Sequence, residues 1–196
     1  MHCVQALYLA VVLAAEPALA AGQQPIPPGK VVSGTLSFDG RATAGDFTGK
    51  TSTVSGEMTG GADLSAVRGW VEAPAASLTT GNGRRDRDLN KSMETQKFPT
   101  MRFELGAVET AAAPDSAAGA DSVPVRLKGR LTLHGVTRDM EIPGAVTLGP
   151  DGARVRGTLP VNLKDYHIGG LSKLFGTLRM YEDIVVHIDL QFAYAR

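Results

Sequence analysis

Apolar and polar positions alternate with a period of two along most of this chain, most legibly across Gly129–Leu148, GRLTLHGVTRDMEIPGAVTL. Ahead of the turn His134-Gly135-Val136, Leu127, Leu131 and Leu133 share one parity, and Arg126, Lys128, Arg130 and Thr132 share the other. Beyond the turn, Met140, Ile142, Val146 and Leu148 oppose Arg138 and Thr147. Side chains alternate across a strand, so the pattern predicts two meander strands with one apolar and one charged face.

The same alternation recurs along the chain. Val31–Gly40 sets Leu36 and Phe38 against Thr35, Ser37 and Asp39, and Val67–Ala73 follows as a third strand. Thr100–Val108 sets Met101, Phe103 and Leu105 against Arg102 and Glu104. Arg154–Leu163 sets Val155, Leu159, Val161 and Leu163 against Arg154, Arg156 and Asn162. Tyr181–Tyr194 alternates most cleanly, from Ile184 to Phe192 against Asp183, His187 and Asp189. In Phe47–Met58 the apolar parity moves from Phe47 to Val54 and Met58, which predicts a bulge between them.

Three segments break the pattern. Pro74–Thr100 is charged, with Leu89 and Met93 at helical spacing and Asn82 as an N-cap candidate, so it predicts one short helix across an opening of the sheet. Thr110–Ser122 (TAAAPDSAAGADS) reads as a solvated hairpin insert. Tyr166–Leu178 is Gly-rich, with room for a single helical turn at Leu171–Phe175. The expected fold is all-β, an eight-stranded antiparallel barrel with one short helix between strands 3 and 4, because closure removes exposed edges. Eight strands enclose either packed side chains or one small ligand. The chain has only six Phe and one Trp, and many inward positions are Gly, Ala, Val or Thr, which favours a cavity.

The N-terminus changes the setting. Val4–Ala15 is an apolar run too short to span a bilayer, and Ala18-Leu19-Ala20 follows it with a signal-peptidase pattern. The expected organisation is a signal peptide at 1–20, an extended Pro-containing lead-in at 21–30, and a barrel domain at 31–196. Export to the periplasm or beyond follows, although the His2-only n-region leaves an uncleaved anchor as the alternative. The one cysteine, Cys3, lies in that segment, so no disulfide is expected in the domain. Without 1–20, which contain Glu16 as their one charged side chain, 20 basic residues face 19 acidic ones. A near-neutral chain has no broad field for nucleic acid.

Chemistry-bearing motifs are sparse. Ala44–Thr51 fits a loose phosphate-loop pattern, but Thr51-Ser52-Thr53-Val54 is strand material where a helix must start. His134, His167 and His187 have no metal-ligand spacing, and His134 is better placed to tie down its turn. No nucleophile elbow occurs, so neither catalysis nor a metal or cofactor is expected. Trp70 has the parity of Arg68 and Glu72 and is expected outside the barrel.

Three ordered stretches resemble the YceI family of lipid- or polyisoprenoid-binding periplasmic proteins. Ser77-Leu78-Thr79-Thr80-Gly81-Asn82 with Arg85-Asp86 and Leu89 is similar to S-x-x-T-G-N-x-x-R-D-x-x-L. Lys97-Phe98-Pro99 through Phe103 is similar to K-[YF]-P-x-x-x-F, and Gly129–Arg138 to G-x-L-T-[IL]-H-G-V-T-[KR]. Weaker echoes stand at Ser37-Phe38 and at Asp165–Gly169. Asp88 and Ser92-Met93-Glu94 depart from the family's usual His and Asp-Phe-Phe.

The resemblance implies a lipocalin-like barrel, without enzymatic activity or cofactor, that sequesters or carries a polyisoprenoid or quinone-like lipid. Candidate lining residues are Leu36, Phe38, Phe47, Met101, Phe103, Leu131, Leu133, Met140, Ile142, Val161, Ile188 and Phe192, with Leu89 and Met93 as a lid. Arg85 and Asp86 are candidates for a headgroup, or for a structural ion pair at the helix entry. A homodimer and a membrane-associated delivery partner are further candidates. An eight-stranded outer-membrane barrel, or a stress-response or structural module with an incidental cavity, are the alternatives.

Overall fold

The computed structural model describes residues 25–111, 122–169, 172–173 and 178–195. The predicted signal segment, 1–20, and the middle of the Ala-rich insert, 112–121, lie outside the described residues. In chain order the elements are β1 (Gly29–Gly40), β2 (Phe47–Thr51), β3 (Ser55–Met58), β4 (Gly69–Pro74), helix α1 (Gly83–Ser92), β5 (Thr100–Thr110), β6 (Ser122–Leu133), β7 (Val136–Leu148) and β8 (Gly152–Asn162). β9 (Ser172–Lys173), β10 (Leu178–Arg179) and β11 (Asp183–Tyr194) follow. Most of the predicted helical turn at Leu171–Phe175 lies outside the described residues; Ser172 and Lys173 within it pair with β10 as a short ribbon.

Strands neighbour one another in sequence order from β3 to β8, β11 joins β8, and β1 pairs with β11 to close the ring. β2 and β3 run along β1 as a single interrupted strand, so the barrel is eight-stranded and antiparallel. The register across the interruption is unbroken, since Leu36 faces Thr51 above it and Gly29 faces Met58 below it. The parity shift expected in Phe47–Met58 is therefore shared by both partners. On β1 it coincides with a slip against β11 between Val31 and Ser33, which leaves Val32 62% exposed. A second irregularity, at Gly106, turns Leu105 and Val108 toward the same interior.

The outward faces carry cross-strand ion pairs. Glu72 of β4 meets Arg102 of β5 at 2.7 Å, and Arg130 of β6 meets Glu104 of β5 at 2.8 Å. Arg126 of β6 meets Glu141 of β7 at 2.9 Å. Trp70 lies outside as its parity predicts, 4.5 Å beneath the Arg102 guanidinium. Such exposed pairs contribute little each, but they set which face is wet.

Two seams open at one end of the barrel. β4 stops at Pro74 while β2 continues beside the chain leading to α1, through mutual Lys50–Thr79 backbone bonds. β7 pairs with β8 only from Gly144 to Leu148. Alongside the unpaired first half of β7 stands the 3-10 turn Leu163–Tyr166, held by Arg138 Nε donating to the Asp165 carbonyl at 2.8 Å. At the opposite end Ile26, between two prolines, forms a bridge to Gly61 and is buried.

Gly129 has the inward parity of Leu127 and Leu131 and leaves no room for a side chain. A Cβ there would lie 2.2 Å from the Glu104 carbonyl and 2.6 Å from the Phe103 ring. Gly129→Ala should therefore force β5 and β6 apart and cost about 1–3 kcal/mol in urea unfolding. An unchanged midpoint would show that the seam can yield.

Candidate functional site

The inward positions enclose a cavity of about 230 Å³. Its lining is apolar apart from Ser37, Ser92 and Arg102, and the Arg102 guanidinium is held outside by Glu72 and Glu104. An engineered apolar cavity of about 150 Å³ stays dry and takes a benzene, so this one has room for roughly nine carbon atoms.

Twelve of the candidate lining residues bound it: Leu36, Phe38, Leu89, Met93, Met101, Phe103, Leu131, Leu133, Ile142, Val161, Ile188 and Phe192. Phe47 and Met140 stand outside the wall. Phe47 lies edge-on to Phe38, with ring centroids 6.0 Å apart, at the end of β2. Met140 has the inward parity of Ile142, but the buried Tyr166 occupies the neighbouring space and directs its hydroxyl at the Met140 sulfur, 3.5 Å away. Burial raises the Tyr166 hydroxyl above its ordinary pKa.

Sequence periodicity does not single out Ile26, Leu78, Ile168 and Met180, which also line the cavity, whereas it does place Leu163 there. The four stand outside the long strands, where no two-residue period exists to mark them. An isolated apolar residue flanked by prolines or turn residues is the signal they leave.

The lid end is built by the motif residues. Asn82 caps α1, its side-chain oxygen accepting the Arg84 and Arg85 amides at 3.0 and 3.2 Å. The Asp86 carboxylate accepts the Thr80 hydroxyl at 2.6 Å, the Thr80 amide at 2.8 Å and the Thr79 hydroxyl at 2.9 Å. Arg85 donates from Nε to the Thr80 hydroxyl at 3.0 Å and lies 4.4 Å over Phe47. These bonds fix the helix entry to the loop that bridges β2, while Leu89 and Met93 face the cavity.

A second clamp closes the other side. His134, in the left-handed region at φ 51°, donates from Nδ1 to the Tyr166 carbonyl at 2.9 Å and packs edge-on against Phe98 at 4.5 Å. Gly135 has φ 74°, and a Cβ on it would meet Phe98 at 2.5 Å. His134 thus ties the β6–β7 turn to both Phe98 and the Leu163–Tyr166 turn. His187 bonds Asp39 at 2.8 Å on the wet face, and His167 ends the Leu163–Tyr166 turn.

A model of the YceI-like domain matches residues 31–192. The chain belongs to the YceI-like family. Solved structures similar to this YceI-like barrel include a polyisoprenoid-binding domain from Saccharophagus degradans, implicated in plant cell wall breakdown, at 18% identity and TM-score 0.67. That match covers 87% of this chain and 99% of the neighbour. BcnA of Burkholderia cenocepacia is similar at 14% identity and TM-score 0.64, covering 81% of this chain and 95% of the other. The YCEI protein of Campylobacter jejuni follows at 18% identity and TM-score 0.58, with 76% and 85% covered. Among curated proteins none matches the chain. At these identities the likeness to solved structures establishes the fold, and the lining of the cavity is this chain's own.

The Asp86 latch predicts a pH response. Hydrogen bonds from the Thr80 hydroxyl and amide, then from Thr79, with the Arg85 charge assisting, hold its carboxyl below the ordinary 3.8. A carboxyl depressed on folding contributes stability above its unfolded pKa and loses it as pH falls through the folded value. Protection of the Thr80 amide against hydrogen exchange, corrected for intrinsic rate, should be constant from neutrality down to about pH 4 and fall below it. In Asp86→Asn it should be low throughout; wild-type protection in that variant would show that the latch does not depend on the carboxylate.

Proposed function

We propose that this YceI-like barrel binds and carries the isoprenoid tail of a quinone-like lipid in its interior, in the bacterial periplasm. The observation that carries this reading is the apolar cavity beneath a helix, with no charged group inside it. The name of the Saccharophagus degradans neighbour, a polyisoprenoid-binding domain, supports the ligand class. The signal-like 1–20 segment supports export. Paired charges on the outward faces of β4–β7 suit a barrel bathed in water, where a membrane barrel presents an apolar outer band.

Magnitudes set what the cavity can do. Nine carbons buried at roughly 0.8 kcal/mol each give a gross gain of about 7 kcal/mol. Association alone costs about 4–15 kcal/mol, so two isoprene units would be held weakly. Firm retention needs a longer buried tail. Met58, Met93, Met101 and Met180 in the wall have unbranched side chains that can move aside to admit one. The headgroup stays outside the apolar wall, near Arg85, whose Nε bonds Thr80 and whose guanidinium lies over Phe47.

Native mass spectrometry on protein purified without detergent, followed by organic extraction, tests the reading. The expected result is a retained prenyl lipid. A bare mass together with no uptake of added prenyl chains would remove the carrier function. Leu131→Trp fills the middle of the cavity and should abolish uptake while leaving the far-UV circular dichroism unchanged. Arg85→Ala should weaken binding of a polar-headed prenyl lipid and spare the bare hydrocarbon, whereas equal loss of both would assign Arg85 to the latch alone.

A further inference from the structure

The two faces of α1 differ in kind. Leu89 and the C-capping Met93 line the cavity, with Asp86 and Asn90 in the latch on the same side. Arg84, Arg87 and Lys91, three and four residues apart, form a stripe on the exposed side. None of the three has an ion-pair or hydrogen-bond partner among the described residues.

On the barrel wall the pattern is reversed. Lys30, Arg102, Arg126, Lys128, Arg130 and Arg154 are each within 3 Å of a carboxylate. Asp88 stands among Arg84, Arg87 and Lys91, so the stripe carries a net excess of two positive charges, whereas Lys50 of β2 and Arg156 of β8, the wall cations without an ion pair among the described residues, stand singly. A local excess of positive charge over the mouth complements an external surface of the opposite sign.

We propose that α1 docks the lid end of the barrel onto an anionic phospholipid surface through Arg84, Arg87 and Lys91. The stripe lies on the solvent side of the same helix whose other side covers the cavity, so docking would bring the mouth to the bilayer. Its bearing on lipid exchange rests on the carrier function proposed above; the docking itself does not, because it requires no occupant in the cavity. The attraction is electrostatic, so it should weaken as salt shortens the screening length.

Flotation of the full chain with vesicles of phosphatidylcholine alone, and of phosphatidylcholine mixed with phosphatidylglycerol, tests the proposal. The measure is the difference between the two vesicles, which an apolar N-terminal segment would not produce. The triple variant Arg84→Gln, Arg87→Gln, Lys91→Gln is compared with Lys30→Gln, Arg126→Gln, Lys128→Gln, which removes the same net charge from the wall. Each cation near an anionic surface is worth roughly fivefold in partitioning, so the lid variant should lose on the order of a hundredfold and the wall variant little. Equal loss in both variants would assign binding to net charge. Absence of preference for anionic vesicles in the unaltered chain would overturn the proposal. Prenyl-lipid uptake from detergent solution, measured in parallel, stays intact if docking alone is wrong and disappears if the carrier reading is wrong.

Discussion

Closure of the sheet by the pairing of β1 with β11 is the constraint on which the rest of the molecule depends. It joins the first long strand to the last, Gly29 opposite Tyr194 and Asp39 opposite Val185. An open eight-stranded sheet would expose one apolar face and two unpaired edges. Closed, it turns that face inward and leaves the charged positions outside. A ring of eight strands also fixes an interior width, and this chain underfills it. Among the described residues Phe38, Phe103 and Phe192 are the aromatic ones in the cavity wall, and the remaining space is the cavity.

Closure is incomplete at one end, and there the recognisable motifs gather. Where β4 stops, the Thr79–Asp86 latch and α1 continue the wall; where β7 and β8 part, Tyr166 and its turn fill the seam. His134 and Phe98 belong to the second repair. The residues that carry the family resemblance therefore divide between two tasks: Leu78, Leu89, Phe103, Leu131 and Leu133 reach the interior, while Asn82, Asp86, His134 and Gly135 act on backbone geometry. The same fold is found in chains only 14–18% identical to this one. A latch made of main-chain bonds and short polar side chains tolerates wide variation in the apolar lining.

The strands were legible because a period of two survives any choice of apolar residue, and Trp70 and the helix cap could be placed by the same local rules. The site was legible to the extent that it coincides with strand parity. Phe47 and Met140 have the right parity and still stand outside the wall, because Gly40 and Phe38 receive the one ring and Tyr166 stands beside the other side chain. Parity assigns a face; it does not say what approaches that face from a distant segment. Ile26, Leu78 and Ile168 show the complementary limit, since they enter the cavity from turns and from a Pro-flanked bridge. The irregularities at Val32 and Gly106 lie between these cases: a glycine within a strand marks the second, whereas the first is visible only in the pairing with β11.

Met93 shows how one departure from the family pattern bears on the cavity. It stands in the segment where a pair of aromatic residues is the familiar choice, and it is 5% exposed and part of the wall. Two rigid rings there would fill the lid end and fix its shape. A methionine leaves volume and can change rotamer without disturbing the backbone. The latch at Asp86 holds the entry of α1, whereas Leu89 and Met93, one turn apart, secure the rest of it by apolar contact. On the carrier reading proposed above, a longer tail would find its room at the lid end, where a flexible methionine stands in the wall beside Leu89.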